Sequence, residues 1–271
     1  MPEFLSGFEA MSIQAATKFA RLSVEVKAPI ACIALSNPPL NVIDIPMMVD
    51  LAVALAEIET QAEISVIMFR GSGKSFSGGV DVAAHTPDKV NSMLEKFHAV
   101  IRALVATQKV TIAVVHGHCL GGGAELAMVC DLVYTSEDAQ WGFPEIQLGC
   151  FPPVAVTALA ALVGQKRAAD LVLTGRTING AEAARIGLAN EAVAPDELAN
   201  AINNAVNRLA ALSPAALALT KKASYAWDSM HFDKGLARAE KIYLNELMKT
   251  EDAEEGIRAF LEKRNPRWTG R

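Results

Sequence analysis

An α/β fold is predicted for this 271-residue chain by three observations. Apolar, β-rich runs alternate with helical periodicities through the first half, glycine-rich corners follow two of those runs, and the final third reads as nearly all helix. With 51% hydrophobic residues, the chain can bury a substantial core. No fixed-period repeat of solenoid length is visible, although a strand, strand, helix pattern recurs loosely in the first half.

Each element follows from local sequence. The first 20 residues carry Glu3 and Glu9 and lack both a basic leader and a long apolar run, so an arm without a secretion signal is expected there. From Leu22 to Leu35, the runs LSVEV and IACIAL flank Lys27-Ala28-Pro29 and predict a hairpin. Asp44 is placed to cap a helix with Pro46 in its first turn and Met47, Met48, Leu51, Leu55 and Ile58 on one face. Ile64 to Phe69 reads as a strand entering the glycine loop Gly71 to Gly79. Val110 to Val115 reads as another, entering Gly121-Gly122-Gly123 and a helix that begins near Ala124; Leu132 to Thr135 is the next strand. Beyond Pro153, helices are expected over Val154 to Leu162, Lys166 to Leu173, Gly180 to Ile186, Asp196 to Leu212, Pro214 to Trp227, Asp233 to Met248 and Asp252 to Lys263.

Composition narrows the function. The net charge of -5 and the lack of a basic stripe disfavour a nucleic-acid surface, and no membrane span is evident. Cys32, Cys119, Cys130 and Cys150 have no C-x-x-C spacing, which predicts reduced, buried thiols and a cytoplasmic protein.

The second glycine corner carries the chemistry. Glycines allow close backbone approach, and a first helical turn presents unpaired N–H groups at the positive end of its dipole, so the corner can hold an oxyanion. Glu125 lies in that turn on an otherwise apolar helix, where burial is costly without a purpose. Its bland alternative is to complement the helix dipole. Glu145 follows Pro144 beyond the apolar Trp141-Gly142-Phe143, and its alternative is to cap a short turn. Two carboxylates beside an oxyanion site suit proton transfer, and each glycine loop can donate one N–H to a single oxygen.

Other motifs weigh less. Gly73-Lys74-Ser75 would need glycine where Met68 stands to form a phosphate loop. His116 and His118 alternate on one predicted strand face, but Cys119 points the other way and no further ligands gather, so no metal is expected. Cys119 is a better structural thiol than nucleophile. His85 and His98 read as a loop histidine and a partly buried helix histidine.

Five motifs then occur in order: Asn37-Pro38-Pro39-Leu40-Asn41-Val42, Gly73 to Val82, His116 to Leu126, Pro144 to Gly149, and Leu173-Thr174-Gly175-Arg176. With the ending Thr250 to Gly256 and Phe260 to Arg264, the chain resembles the enoyl-CoA hydratase/isomerase, or crotonase, superfamily from about Leu22 to Trp268. The resemblance implies a crotonase-like spiral of strand-strand-helix turns over residues 21–205, after an arm at 1–20. Residues 206–271 would form a helical region that caps the site or mediates a homotrimer or dimer of trimers. The implied substrate is an acyl-CoA thioester, with coenzyme A part of the substrate and no separate cofactor. The backbone N–H groups of Val80 and Gly122 would form the oxyanion hole, with Glu125 the water activator and Glu145 the proton donor. Lys74, Ser77, Gly79, Val80, Asp81 and Val82 would line the coenzyme A path, joined by Phe260 and Lys263 of the same or a neighbouring C-terminus.

One stretch departs from typical hydratases. Where they are glycine-rich, this chain has Cys150-Phe151-Pro152-Pro153, so Phe151 and Pro153 are expected to shape the acyl pocket. Together with Val80 to Pro87 and Phe97-His98, this is similar to the cyclic dienoyl-CoA hydratases. The resulting expectation is hydration of an enoyl or cyclic dienoyl thioester to a hydroxyacyl-CoA. Double-bond isomerisation, which needs one acid/base, and a non-catalytic acyl-CoA- or RNA-binding relative are the alternatives.

Overall fold

The computed structural model describes residues 19–271, apart from the side chains of 225–230. The expected arm lies almost wholly outside the described residues. The elements are β1 (Leu22–Lys27), β2 (Ile30–Leu35), α1 (Ile45–Glu59), β3 (Val66–Gly71), α2 (Val90–Ala106), β4 (Val110–Val115), β5 (His118–Leu120), α3 (Gly122–Met128), β6 (Leu132–Ser136) and β7 (Gln140–Gly142). Then follow α4 (Pro153–Val163), α5 (Gln165–Thr174), β8 (Thr177–Asn179), α6 (Gly180–Ile186), β9 (Glu191–Val193), α7 (Leu198–Ala210), α8 (Pro214–Asn245) and α9 (Glu251–Leu261).

The main sheet has the order β1-β2-β3-β4-β6-β9, with β1 antiparallel to β2 and the remaining pairs parallel. Parallel strands are usually covered on both faces, and these read as continuous apolar runs for that reason. Ala31, Ile33, Ile67, Phe69, Ala113 and Val115 enter the larger core with the apolar faces of α1 and α2. Their alternates Ile30, Cys32, Val66, Met68, Val110 and Ile112 pack against Leu198, Ile202, Ala205 and Val206 of α7. α7 therefore belongs to the sheet it covers, and the expected division between residues 205 and 206 falls inside it.

A second layer shows how the chain spirals. β5, β7 and β8 form a small sheet, which Ser77 extends by pairing with Cys119, while Ile43 pairs with Val80. Successive turns thus place one strand in the main sheet and a shorter segment beside the next turn. These segments are three residues or fewer, too short to show a period in sequence.

Three sequence expectations change. β4 ends at Val115, and Gly117, at φ 58, turns the chain into β5, where a Cβ would meet Lys74 O at 1.9 Å. His116 and His118 are therefore not on one strand: His116 lies in the link, its Nε2 bonded to Gly73 O at 2.9 Å, while His118 opens β5 and is exposed. Helix α2, expected only as the helix segment that carries His98, runs over the whole of Val90–Ala106, where Val90, Met93, Leu94, Phe97, Val100, Ile101 and Leu104 carry helical spacing and are all buried. The two helices expected over Pro214 to Trp227 and Asp233 to Met248 are one helix, α8. Near its start, Lys221 Nζ is tied to Asp131 Oδ2 at 2.7 Å and to Lys109 O at 2.8 Å, which fixes α8 against the sheet. Among the described residues no helix is long and apolar enough to cross a membrane.

Candidate active site

The first loop of the site is built by Asn41. Its φ of 51 is a left-handed conformation that asparagine tolerates, and it turns the buried amide toward the next loop. Nδ2 donates to Ser72 O at 2.9 Å and Ser75 O at 2.7 Å, while Ser77 Oγ donates to Asn41 O at 2.8 Å. Together they hold the strand end that leads to Val80. The parallel bridge to Ile43 uses Gly79 O and the Asp81 N–H, so the intervening Val80 N–H takes no part in it.

The second loop arrives from the triple glycine. Gly122 opens α3, whose first intrahelical bond runs from Glu125 N to Gly121 O, so the Gly122 N–H is one of the helix's unpaired donors. A Cβ at Gly122 would lie 2.5 Å from Val80 Cγ2 and 3.4 Å from Val80 N. Only glycine lets these two amides stand side by side. Gly121, at φ 50, fits closely in another way: a Cβ there would be 2.6 Å from Glu145 Oε1.

Two carboxylates meet at this corner. Glu125 is buried, and its Oε1 accepts from Val154 N at 2.8 Å and Ala155 N at 2.9 Å, the first turn of α4. Burial pushes its pKa up to about 7 against the pull of those two amides. Glu145 sits in a short 3-10 turn, Pro144–Leu148, with Oε2 buried and unpartnered. Burial first, and the Glu125 charge second, push its pKa well above the usual carboxylate range. The two amides on Glu125, and the Glu125 charge beside the unpartnered Glu145, favour a pair that holds one proton on Glu145 while Glu125 ionises.

Both carboxylates open on one cavity of about 360 Å³, with Val80 and Gly122 in its wall. Phe151 and Pro153 line it too, as do Gly79, Val82 and Phe260. The other expected contacts are placed differently. Ser77 is fully buried with its hydroxyl committed to Asn41 O and to the Gly79 N–H, so it shapes the loop. Asp81 caps the short turn Val82–His85 through the Ala83 N–H. Lys74 and Lys263 are exposed and stand outside the cavity lining. Cys119 is buried beside the helix start, where desolvation holds its thiol well above its ordinary pKa and denies it a nucleophile's thiolate. Among the described residues no group of three or more His, Cys, Asp or Glu is arranged to hold a metal ion.

Tyr243 of α8 and Arg264 line the cavity without having been singled out in the sequence, while Phe97 and His98 of α2 entered there only through the resemblance. The adjacent pair Pro152-Pro153 held a further signal. A proline at a helix start marks exposed N–H groups just beyond it, and here those groups grip Glu125.

The model of the family described as "Enoyl-CoA hydratase/isomerase" matches residues 25–271. The chain belongs to the enoyl-CoA hydratase/isomerase family. It is 36% identical to a cyclohexa-1,5-dienecarbonyl-CoA hydratase of Thauera aromatica, over 88% of this chain and 92% of the relative. It is 34% identical to a short-chain-enoyl-CoA hydratase of Clostridium acetobutylicum, over 89% and 94%. A crystal structure of an enoyl-CoA hydratase from Mycobacterium avium subsp. paratuberculosis superposes with a TM-score of 0.84 at 28% identity, over 93% of this chain and 99% of that one. The spiral and the two-loop corner described above are thus this chain's version of the enoyl-CoA hydratase/isomerase fold.

Proposed function

We propose that the protein hydrates an α,β-unsaturated acyl-CoA, linear or cyclic dienoyl, to a hydroxyacyl-CoA. The observation that carries this reading is the pair of buried carboxylates facing the cavity that also holds the Val80 and Gly122 amides. The thioester carbonyl oxygen accepts both N–H groups, which favour the negative charge that appears there as the double bond is attacked. Ionised Glu125 takes a proton from water, and the resulting hydroxide character adds to Cβ. Protonated Glu145 then delivers its proton to Cα as the enolate collapses. One water is consumed, no electrons leave the substrate, and the proton gained by Glu125 returns to Glu145 through solvent or the next water.

The aromatic walls Phe97 and Phe151 and the relationship to the Thauera hydratase support a compact or ring-shaped acyl group. Coenzyme A is part of the substrate, reaching past Val82 and Phe260 toward the exposed Lys74 and Lys263, whose charge suits its phosphates. Assembly as a trimer or dimer of trimers and a cytoplasmic location belong to the same reading, and light scattering of the purified protein tests the first. Activity is tested with crotonyl-CoA, longer enoyl-CoAs and cyclohexadiene-carbonyl-CoA, following loss of the conjugated chromophore. Turnover of at least one is expected; turnover of none sinks the proposal.

A further inference from the structure

We propose that His98 Nε2 and the Tyr243 hydroxyl form a second polar subsite in the acyl cavity, one that binds a hydroxyl group carried on the acyl chain away from the reacting double bond. This rests on the acyl-CoA reading above. Among the described residues, six buried side-chain polar atoms have no hydrogen-bond partner. Three of them, Glu145 Oε2, His98 Nε2 and Tyr243 Oη, belong to residues that line this one cavity. A buried polar group left unpaired is destabilising, so such a concentration marks where a ligand completes the bonding. Glu145 is accounted for by the reaction. The other two are not.

Their chemistry is complementary. His98 is fully buried on α2, and its Nδ1 donates to Glu240 Oε1 at 2.7 Å, an oxygen that also accepts from Arg102 Nη2 at 2.9 Å. A carboxylate only accepts, so the proton sits on Nδ1 and leaves Nε2 as a bare acceptor. Burial lowers the pKa of this imidazole, which keeps it neutral. Tyr243 lies three residues beyond Glu240, on the same face of α8. Its ring meets Phe151 edge to face at 5.1 Å, and burial holds its hydroxyl well above its ordinary pKa, so it remains a donor. The Cys150 thiol beside it spends its hydrogen on Leu148 O and offers the Tyr243 hydroxyl only a weak sulfur acceptor, which a ligand oxygen replaces.

An acceptor on α2 and a donor on α8, tied together through Glu240, suit a group that both donates and accepts. A hydroxyl does this: its hydrogen goes to His98 Nε2, and its oxygen takes the Tyr243 proton. An alkyl chain or unsubstituted ring leaves both atoms unpaired, a mismatch that sites built for hydrogen bonding penalise heavily.

The test is a matched series, hex-2-enoyl-CoA against its 4-, 5- and 6-hydroxy derivatives, with saturated hexanoyl-CoA and its hydroxy forms as binding probes. For at least one hydroxyl position, kcat/KM and affinity are expected to exceed those of the parent by about tenfold or more. In Tyr243→Phe, which keeps the ring, and in His98→Phe, that ratio should fall toward one. The ratio is internal to each variant, so partial loss of folded enzyme does not disturb it. Equal kcat/KM and equal affinity across the series in the native enzyme overturn the inference, leaving only ordered water at these two atoms. A binding preference without turnover of any enoyl-CoA supports the subsite while sinking the hydration proposal.

Discussion

Glu125 and Glu255 are both buried carboxylates on short helices, the first lining the acyl cavity and the second bonded to Arg264, which lines it, and their surroundings drive them in opposite directions. Glu255, on α9, receives Arg264 Nη1 at 2.6 Å, Arg258 Nη2 at 2.7 Å and the Arg267 N–H at 2.9 Å. Those partners hold its pKa far below the usual range. Among the described residues Glu125 is met by two neutral amides and no cation, and burial raises it. The comparison separates two uses of one functional group. A carboxylate matched by guanidinium pins the C-terminal residues over the site; one denied a counter-charge keeps its proton close to hand for transfer.

The largest effect should come from the uncompensated pair. Glu125→Gln and Glu145→Gln are each expected to lower kcat by about 10²–10⁴-fold on a turned-over enoyl-CoA, measured in steady state. Loss with only one of them would point to isomerisation, where a single acid/base suffices. Next comes the corner itself. Gly122→Ala drives a methyl to 2.5 Å from Val80 Cγ2, which pushes the two amides apart. A fall in kcat of about 10²-fold is expected, with a stability loss of about 1–3 kcal/mol in denaturant titration.

The pH dependence of stability sharpens the contrast further. With its pKa raised from 4.5 to about 7, Glu125 binds its proton more tightly in the folded state. Its contribution is therefore complete below pH 4.5 and is lost as pH rises through 7. Glu125→Gln removes this loss, so the variant should gain on the native protein by about 2 kcal/mol between pH 5 and pH 8, despite its inactivity. A variant no more stable at pH 8 than at pH 5, relative to the native chain, contradicts the raised pKa. The smallest effect belongs to the paired carboxylate. Glu255→Gln loosens Arg264 at the cavity wall and should raise KM about 2–5-fold with kcat nearly retained. A large fall in kcat instead would place the C-terminal residues in the chemistry.

How much of this was legible in sequence depended on range. The alternating strands and helices, the glycine corner, and Glu125 with Glu145 all announce themselves within a few residues, since their signals are periodicity, glycine spacing and an acid where apolar residues should stand. The placement of Ser77 inside the loop, the break at Gly117, and the continuity of α8 did not, because each is settled by a partner far along the chain.

The sequence by itself determined an α/β chain with an oxyanion corner, two acids and a helical C-terminal third. Tertiary structure decided which atoms share a cavity. It set Val80 against Gly122, brought the first turn of α4 onto Glu125 across 29 positions, and carried Glu240 across 142 positions to His98. Local propensity acts between neighbours in the chain, whereas desolvation and hydrogen bonding act between neighbours in space. The pKa of a carboxylate and the unpaired nitrogen of a histidine exist only once the core has closed around them.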